Sequence, residues 1–363
     1  MSHDPELVRT GQETIVKQIR FVPSGKQIPC EDGDTVLAAL ERHGYALPNN
    51  CRAGACGECK TRVVSGEFDQ GLVMDMALSG EEREAGYGLM CMAKPVSDVL
   101  EIEFGTEDAK PKLFPPRENA PYVLTDKFPR TPRIAELRLR PLGAPMRFWP
   151  GQYVTLGDPG RNIPERCYSI ANIPNREGEI ALQVTYQDEG RTSAWLHDEL
   201  RPGDQVALSG PYGTFIGDPT AETPVLCLAA GSGLAPILSL ASAAFLRGGF
   251  KFPVTLIFSA RTSADLYDLG LLRYLEARFR NFSFRYTLTR ETPSGDLSGR
   301  LPGLLPELFP DLSGHSVYIA GAPQFVEASA AAVRQLGVAE ERLHTEGFVE
   351  QGKPEAPPGD RLL

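Results

Sequence analysis

A chain of 363 residues is long enough for two or three compact domains, and 42% hydrophobic against 23% charged residues excludes a disordered one. A net charge of -10 excludes nucleic acid as a partner, because phosphate binding needs clustered Lys and Arg; a basic protein surface suits it better. Met1 to Gln12 is polar and lacks the apolar core of a secretory signal, so a cytoplasmic chain is expected, and 7 cysteines, an odd count, argue against a disulfide framework.

The first element is a capped helix over Asp34 to Leu40, followed by the run Cys51-Arg-Ala-Gly-Ala-Cys56-Gly-Glu-Cys59 and, much later, Cys91. This Cys-x4-Cys-x2-Cys…Cys spacing is that of a plant-type 2Fe-2S cluster. Ala53, Gly54, Ala55 and Gly57 are small enough for the loop to wrap closely and aim backbone N–H groups at sulfur. Structural zinc favours paired Cys-x2-Cys or His-containing sets, whereas here one pair stands beside two singletons. Lys60 to Ser65 reads as a strand leaving the loop, and Cys30 as a strand or core residue. With these features the segment 13–106 resembles plant-type ferredoxin domains, which implies a β-grasp-like fold.

Pro111, Pro115 and Pro116 mark a linker, placed at 107–118. Beyond it, Ile134 to Leu139 and Glu179 to Tyr186 alternate between Pro and Gly turns, the pattern of a small antiparallel barrel over 119–217. Within it Arg166-Cys167-Tyr168-Ser169 offers a fixed cation, an aromatic face and a hydroxyl, residue types that suit a flavin nucleotide; by themselves the four also read as an ordinary strand. Gly190, Arg191, Thr192 and Ser193 open a helix at Ala194 to Leu200 whose free N–H groups can hold a pyrophosphate. Together these motifs resemble the ferredoxin-NADP reductase superfamily, with its Arg-x-Tyr-Ser flavin signature. The resemblance implies an antiparallel six-stranded FAD-binding barrel, with Arg166 and Ser193 on the pyrophosphate, Tyr168 on the ring and Ser169 near its reactive nitrogen. Val184 and Thr185 complete the candidate flavin set; where Thr185 stands many relatives carry Arg or Lys, so that contact is absent or comes from Arg191.

Val225 to Leu246 carries no charge, but Gly231, Ser232, Gly233 and Pro236 split it into strand, glycine turn and helix rather than a membrane span. Strands at Val254 to Phe258, Phe284 to Thr289 and Val317 to Ala320, with a helix at Leu271 to Arg280, describe a doubly wound parallel sheet over 218–350, and 351–363 a tail. The Gly-x-Gly-x-x-Pro form resembles the nicotinamide domain of the same superfamily. By that resemblance Gly321, Ala322 and Pro323 lie beside the nicotinamide, with Ala320 where Cys is frequent, and Phe348 covers the flavin face, although Phe348 also reads as a plain core aromatic. Ser259, Arg261 and Asp265 follow the second strand, where a cation would favour NADPH; relatives of this layout favour NADH.

No nucleophile with a base, no carboxylate pair in a recognisable motif and no facial histidine set is visible. The domain order resembles one-component reductases of bacterial oxygenases, which implies electron flow from NADH through FAD and the cluster to an oxygenase component, with Ser169 and Phe348 at the hydride-transfer site. A redox sensor, and a reductase for sugar-deoxygenating enzymes, remain as alternatives; the flavin subunit of an ion-pumping complex would need an apolar anchor absent from Met1 to Gln12.

Overall fold

The computed structural model describes residues 16–49, 51–107, 109–110, 112–218, 221–291 and 296–348. The expected domain start at residue 13 and the tail 351–363 lie outside them. The described residues fall into two compact units, Met1–Tyr45 with Arg52–Pro111, and Ala46–Cys51 with Lys112–Leu363.

In the first unit β1 (Lys17–Val22) pairs antiparallel with β2 (Gln27–Cys30). Helix α1 (Val36–Arg42) starts where Thr35 accepts Ala38 N–H at 3.2 Å, a cap that contributes about 1 kcal/mol. After β3 (Lys60–Ser65), β4 (Phe68–Asp69), the short α2 (Gly80–Glu84), β5 (Tyr87–Leu89) and β6 (Lys94–Pro95), strand β7 (Val99–Glu103) returns parallel to β1. The sheet order β2-β1-β7-β3-β5 and the buried set Ile19, Phe21, Leu37, Leu40, Leu100 and Ile102 describe the expected β-grasp-like domain. Cys30 is buried at the end of β2, and burial pushes its thiol up to about 11, which makes it a core residue.

The second unit opens with strands β8 (Arg117–Pro129), β9 (Ile134–Pro141), β10 (Tyr153–Asp158), β11 (Ile163–Ser169) and β12 (Ile180–Thr185). Helix α3 (Arg191–Ala194) widens into a π-turn over Trp195–Glu199 before β13 (Gln205–Tyr212). The helix expected from Ala194 therefore begins earlier, within the glycine turn. Six antiparallel strands run in the order β11-β10-β13-β8-β9-β12, and a single bridge from Ile170 to Leu182 joins the ends. The core is apolar, including Tyr122, Leu137, Leu139, Val154, Leu182 and Val184.

The same unit contains a parallel sheet of β14 (Val225–Ala230), β15 (Val254–Ala260), β16 (Phe282–Leu288), β17 (Leu297–Ser298), β18 (Ser316–Gly321) and β19 (Leu343–Gly347), ordered β17-β16-β15-β14-β18-β19. Helices α4 (Leu234–Ala243) and α5 (Leu269–Arg278) cover one face, α6 (Leu301–Leu308) and α7 (Pro323–Gln335) the other. Helix α4 starts before the expected Ile237 because the chain turns directly out of a 3-10 turn at Gly231–Gly233. The chain reverses its direction of strand addition between β14 and β18, so the crevice of this doubly wound sheet opens at their carboxyl ends. No described helix is long and apolar enough to cross a membrane.

Candidate active site and iron-sulfur loop

At that crevice the last residue of β11 meets the last strand of the parallel sheet. Ser169 Oγ donates to Glu346 Oε1 at 3.3 Å, and Glu346 is 6% exposed. Its second oxygen is buried and lacks a partner among the described residues. Burial pushes the Glu346 carboxyl up to about 8, offset in part by the Ser169 hydrogen bond, so the acid is largely protonated at neutral pH. A buried carboxyl oxygen without a partner is a polar group that a ligand bound at this edge of the sheet can satisfy. Sequence reading took Phe348 and passed over Glu346, which on a half-buried edge strand reads as a solvent-facing acid.

Phe348, half-buried, donates its N–H to Gly321 O at 2.8 Å, which fixes the chain end beside β18. Gly321 has φ +152°, and a Cβ there would stand 3.0 Å from Ala230 O. At Gly233 a Cβ would fall 2.2 Å from Ala320 O, so only glycine lets the turn approach β18 this closely. No side chain caps Gly231–Gly233 or the start of α4, so no side chain competes for the N–H groups there, and Pro236 sits in the first turn of α4. Ala322 precedes α7, with Pro323 as its first residue.

The barrel side contributes the remaining candidates. Tyr168 lies half-buried in a recess against the barrel core, and desolvation pushes its phenol up. The Arg166 Nη1 donates to Glu165 O at 2.8 Å, and Cys167 pairs in register with Thr155. Gly190 and α3 present another helix start without a side-chain cap, with Arg191 exposed there. Thr192 and Ser193 point their hydroxyls elsewhere: Thr192 Oγ1 donates to Pro164 O at 2.5 Å, and Ser193 Oγ accepts from Gln187 N–H at 3.0 Å. Val184 and Thr185, the other two flavin candidates, end β12. The Val184 side chain is part of the barrel core and its carbonyl lies 2.9 Å from His197 Nε2, while Thr185 Oγ1 donates to Ser232 Oγ at 2.8 Å, linking the barrel to the glycine turn. A polar seam unread in the sequence lies alongside: Gln183 Nε2 donates to Asp268 Oδ2 at 2.7 Å, and Tyr267 OH lies 3.0 Å from Gly231 O.

Ser259 is buried at the end of β15, in register with Ala230. Asp265 accepts from Thr262 N–H at 3.0 Å and from its hydroxyl at 2.9 Å, and the Arg261 carbonyl accepts from Arg290 N–H at 2.8 Å. Glu291, missed by sequence reading, accepts Ser263 N–H at 2.8 Å, placing a second carboxylate at this turn. A cavity of about 900 Å³ lies at the opposite, amino-terminal end of the sheet, beside Val225 and Val254, away from this crevice.

In the first unit Cys59 and Cys91 are buried, Cys56 is half-buried, and Cys91 N–H donates to Cys59 Sγ at 3.4 Å. Cys51, also buried, precedes them in the chain. Hydrogen bonding with Cys91 and burial push the Cys59 thiol up, so a cation is needed to hold it as thiolate. Among the described residues no three metal-ligating side chains converge on one point as a single ion requires; a two-iron cluster spreads its ligands over two centres. Gly54 and Gly57 have φ of +70° and +80°, and a Cβ on Gly54 would stand 2.9 Å from Leu72 O. Arg52 clamps the loop to α1, with Nη1 2.6 Å and 2.9 Å from the two carboxylate oxygens of buried Glu41.

The chain matches the 2Fe-2S iron-sulfur cluster binding domain over residues 20–96, the oxidoreductase FAD-binding domain over 127–216 and the oxidoreductase NAD-binding domain over 227–331. It is 35% identical over 330 residues to the reductase subunit of an aromatic O-demethylase from Amycolatopsis sp., covering 89% of this chain and 96% of that one. To the reductase component of a phenol 2-monooxygenase from Pseudomonas sp. it is 33% identical over 334 residues, covering 91% and 94%. The crystal structure of the Amycolatopsis reductase GcoB superposes with a TM-score of 0.82 at 31% identity, covering 92% of this chain and 98% of that one. A ferredoxin reductase in carbazole 1,9a-dioxygenase shares the fold, with a TM-score of 0.73, 24% identity and coverage of 92% and 98%. Sequence and architecture agree that the chain belongs to the ferredoxin-NADP reductase superfamily, as an NAD(P)H-dependent oxidoreductase with an N-terminal 2Fe-2S domain.

Proposed function

We propose that this chain is the NADH-dependent reductase component of an oxygenase system, taking hydride at the Ser169–Glu346 crevice and delivering single electrons through the loop of Cys51, Cys56, Cys59 and Cys91. The observation that carries the reading is a hydroxyl and a protonated carboxyl meeting at the carboxyl edge of a nucleotide-binding sheet, in one chain with a plant-type cluster loop. When bound, FAD accepts a hydride and a 2Fe-2S cluster holds one electron, which converts paired delivery into single steps.

The residues divide the work. Gly190, Arg191 and the start of α3, with Arg166, hold the FAD pyrophosphate, and Tyr168 flanks the ring. Ser169 Oγ and the Glu346 carboxyl orient the reacting edge and keep a proton at Oε1 or Oε2 without placing a negative charge beside it. Phe348, anchored on Gly321 O, covers the crevice against water. The glycine turn Gly231–Gly233 takes the nicotinamide cofactor's pyrophosphate.

Glu291 and Asp265 support NADH over NADPH, because two carboxylates at the turn after β15 repel a 2′-phosphate. Thiolate ligands and an NADH donor fit a cytoplasmic setting. The named relatives serve aromatic O-demethylase and phenol 2-monooxygenase systems, which supports an oxygenase component as the acceptor here. Anaerobic titration with NADH is the test: bleaching of both yellow flavin and reddish-brown cluster absorbance is expected, and a purified protein whose spectrum showed flavin alone after iron reconstitution would overturn the relay.

A further inference from the structure

The surface beside the cluster loop carries an unusual concentration of exposed apolar side chains. Leu72 is 90% exposed, Met76 85% and Met74 47%. Exposing large apolar groups this fully is unfavourable unless something covers them. Their segment is held in place: Met74 N–H donates to Gly54 O at 3.0 Å, Gly71 N–H to Asp69 Oδ1 at 2.9 Å, and Arg83 pairs with Asp75 at 3.1 Å. Beneath it Ala77 and Leu78 are buried, and Leu72 O and Ala77 O lie against Gly54 and Gly57 of the cluster loop. The apolar side chains are thus displayed from a fixed backbone in contact with the turn that bears Cys56.

The segment is acidic. From Glu67 to Glu84 the carboxylates are Glu67, Asp69, Asp75, Glu81, Glu82 and Glu84, against the single cation Arg83 within it; Lys60 pairs with Glu82 at 2.5 Å and Lys94 stands opposite Asp69 in the β4–β6 pair. Glu67, Asp69, Asp75, Glu81 and Glu84 are exposed. We propose that Leu72, Met74 and Met76, with these carboxylates, form the docking surface for the electron acceptor, a redox protein whose electron-accepting group lies in an apolar recess ringed by Lys and Arg. The inference rests on the cluster being the exit of the relay. Charge steers the encounter, flexible thioethers adapt to the recess, and a small apolar contact gives a short-lived complex that releases after one electron.

The holoenzyme tests this with cytochrome c as a lysine-rimmed probe and ferricyanide as a small acceptor that needs no docking surface. The double substitution Leu72→Ser with Met76→Ser should raise the KM for cytochrome c about tenfold, with NADH-ferricyanide activity and the cluster's visible spectrum unchanged. Conservative Met76→Leu should restore most of the loss. Glu81→Lys with Glu84→Lys should flatten the fall of cytochrome c reduction with salt. An unchanged KM in the serine variant, or equal losses with both acceptors, would overturn the surface. Cys56→Ser separates the two ideas: if it abolishes cytochrome c reduction while the serine variant reduces normally, the patch alone fails; if it leaves reduction intact, the cluster is not the exit and the relay fails with it.

Discussion

Ser169, at the end of a barrel strand, donates across 3.3 Å to Glu346 on the outermost strand of the parallel sheet, and burial raises that carboxyl to about 8. The consequence is a stability that depends on pH. Below the ordinary carboxylate value of 4.5 the group is protonated whether folded or unfolded. Between 4.5 and about 8 only the folded state keeps the proton, so stability falls as pH rises through this window. Glu346→Gln removes the dependence, and its unfolding free energy should exceed that of the native chain increasingly toward pH 8, by an amount on the order of a few kcal/mol. Parallel pH profiles would contradict the assignment. NADH-ferricyanide turnover should fall in the same variant, with KM for NADH little changed, since the Glu346 carboxyl bonds to Ser169 and not to the glycine turn.

Cys56→Ser addresses the other end of the relay. Replacing this half-buried thiol should abolish cytochrome c reduction while flavin reduction by NADH stays nearly intact. Stopped-flow bleaching of the flavin band, followed beside cytochrome c turnover, checks it; equal loss of both would contradict the order of carriers.

The proposed preference for NADH puts weight on Glu291, whose carboxylate accepts Ser263 N–H at 2.8 Å. Glu291→Gln keeps the acceptor and removes the charge. A rise of about tenfold in kcat/KM for NADPH, equivalent to about 1.4 kcal/mol, is expected with NADH efficiency held. Equal responses with both donors would exclude this residue from the choice.

Arg52→Ala leaves the Glu41 carboxylate, 3% exposed, without the guanidinium at 2.6 Å. Losing the opposite charge from a buried ion pair costs about 3 kcal/mol, and the cluster loop loses its clamp on α1. Chemical denaturation should show the loss, and iron release to a chelator should quicken. Arg52→Lys, keeping charge without the fork, should fall between the two.

The legible parts of this chain are those where local chemistry leaves one solution. Cysteine spacing marks the 2Fe-2S domain, Thr35 marks a helix start through its own hydroxyl, and an uncharged strand broken by Gly231 and Gly233 marks the turn from β14 into α4. What was missed depends on contacts between distant segments. Ala181 and Gln183 alternate outward on β12 yet are buried, because the parallel-sheet domain covers that side, with Ala235 of α4 against Ala181. Helix α6 carries Pro306 inside and Gly303 beside it, so propensity argues against it and only packing of Leu301 and Leu305 on the sheet retains it. Glu346 reads as a solvent-facing acid until β18 and the barrel enclose it, and Thr185 as a lost cation until Ser232 arrives opposite.

Because the hydroxyl and the carboxyl of the crevice come from separately built sheets, dissecting the chain divides its chemistry. A fragment ending after Tyr212 would retain the α3 turn and lack the acid; one beginning at Val225 would retain the glycine turn and lack the alcohol. On the proposed reading, hydride chemistry in this molecule is a property of the seam.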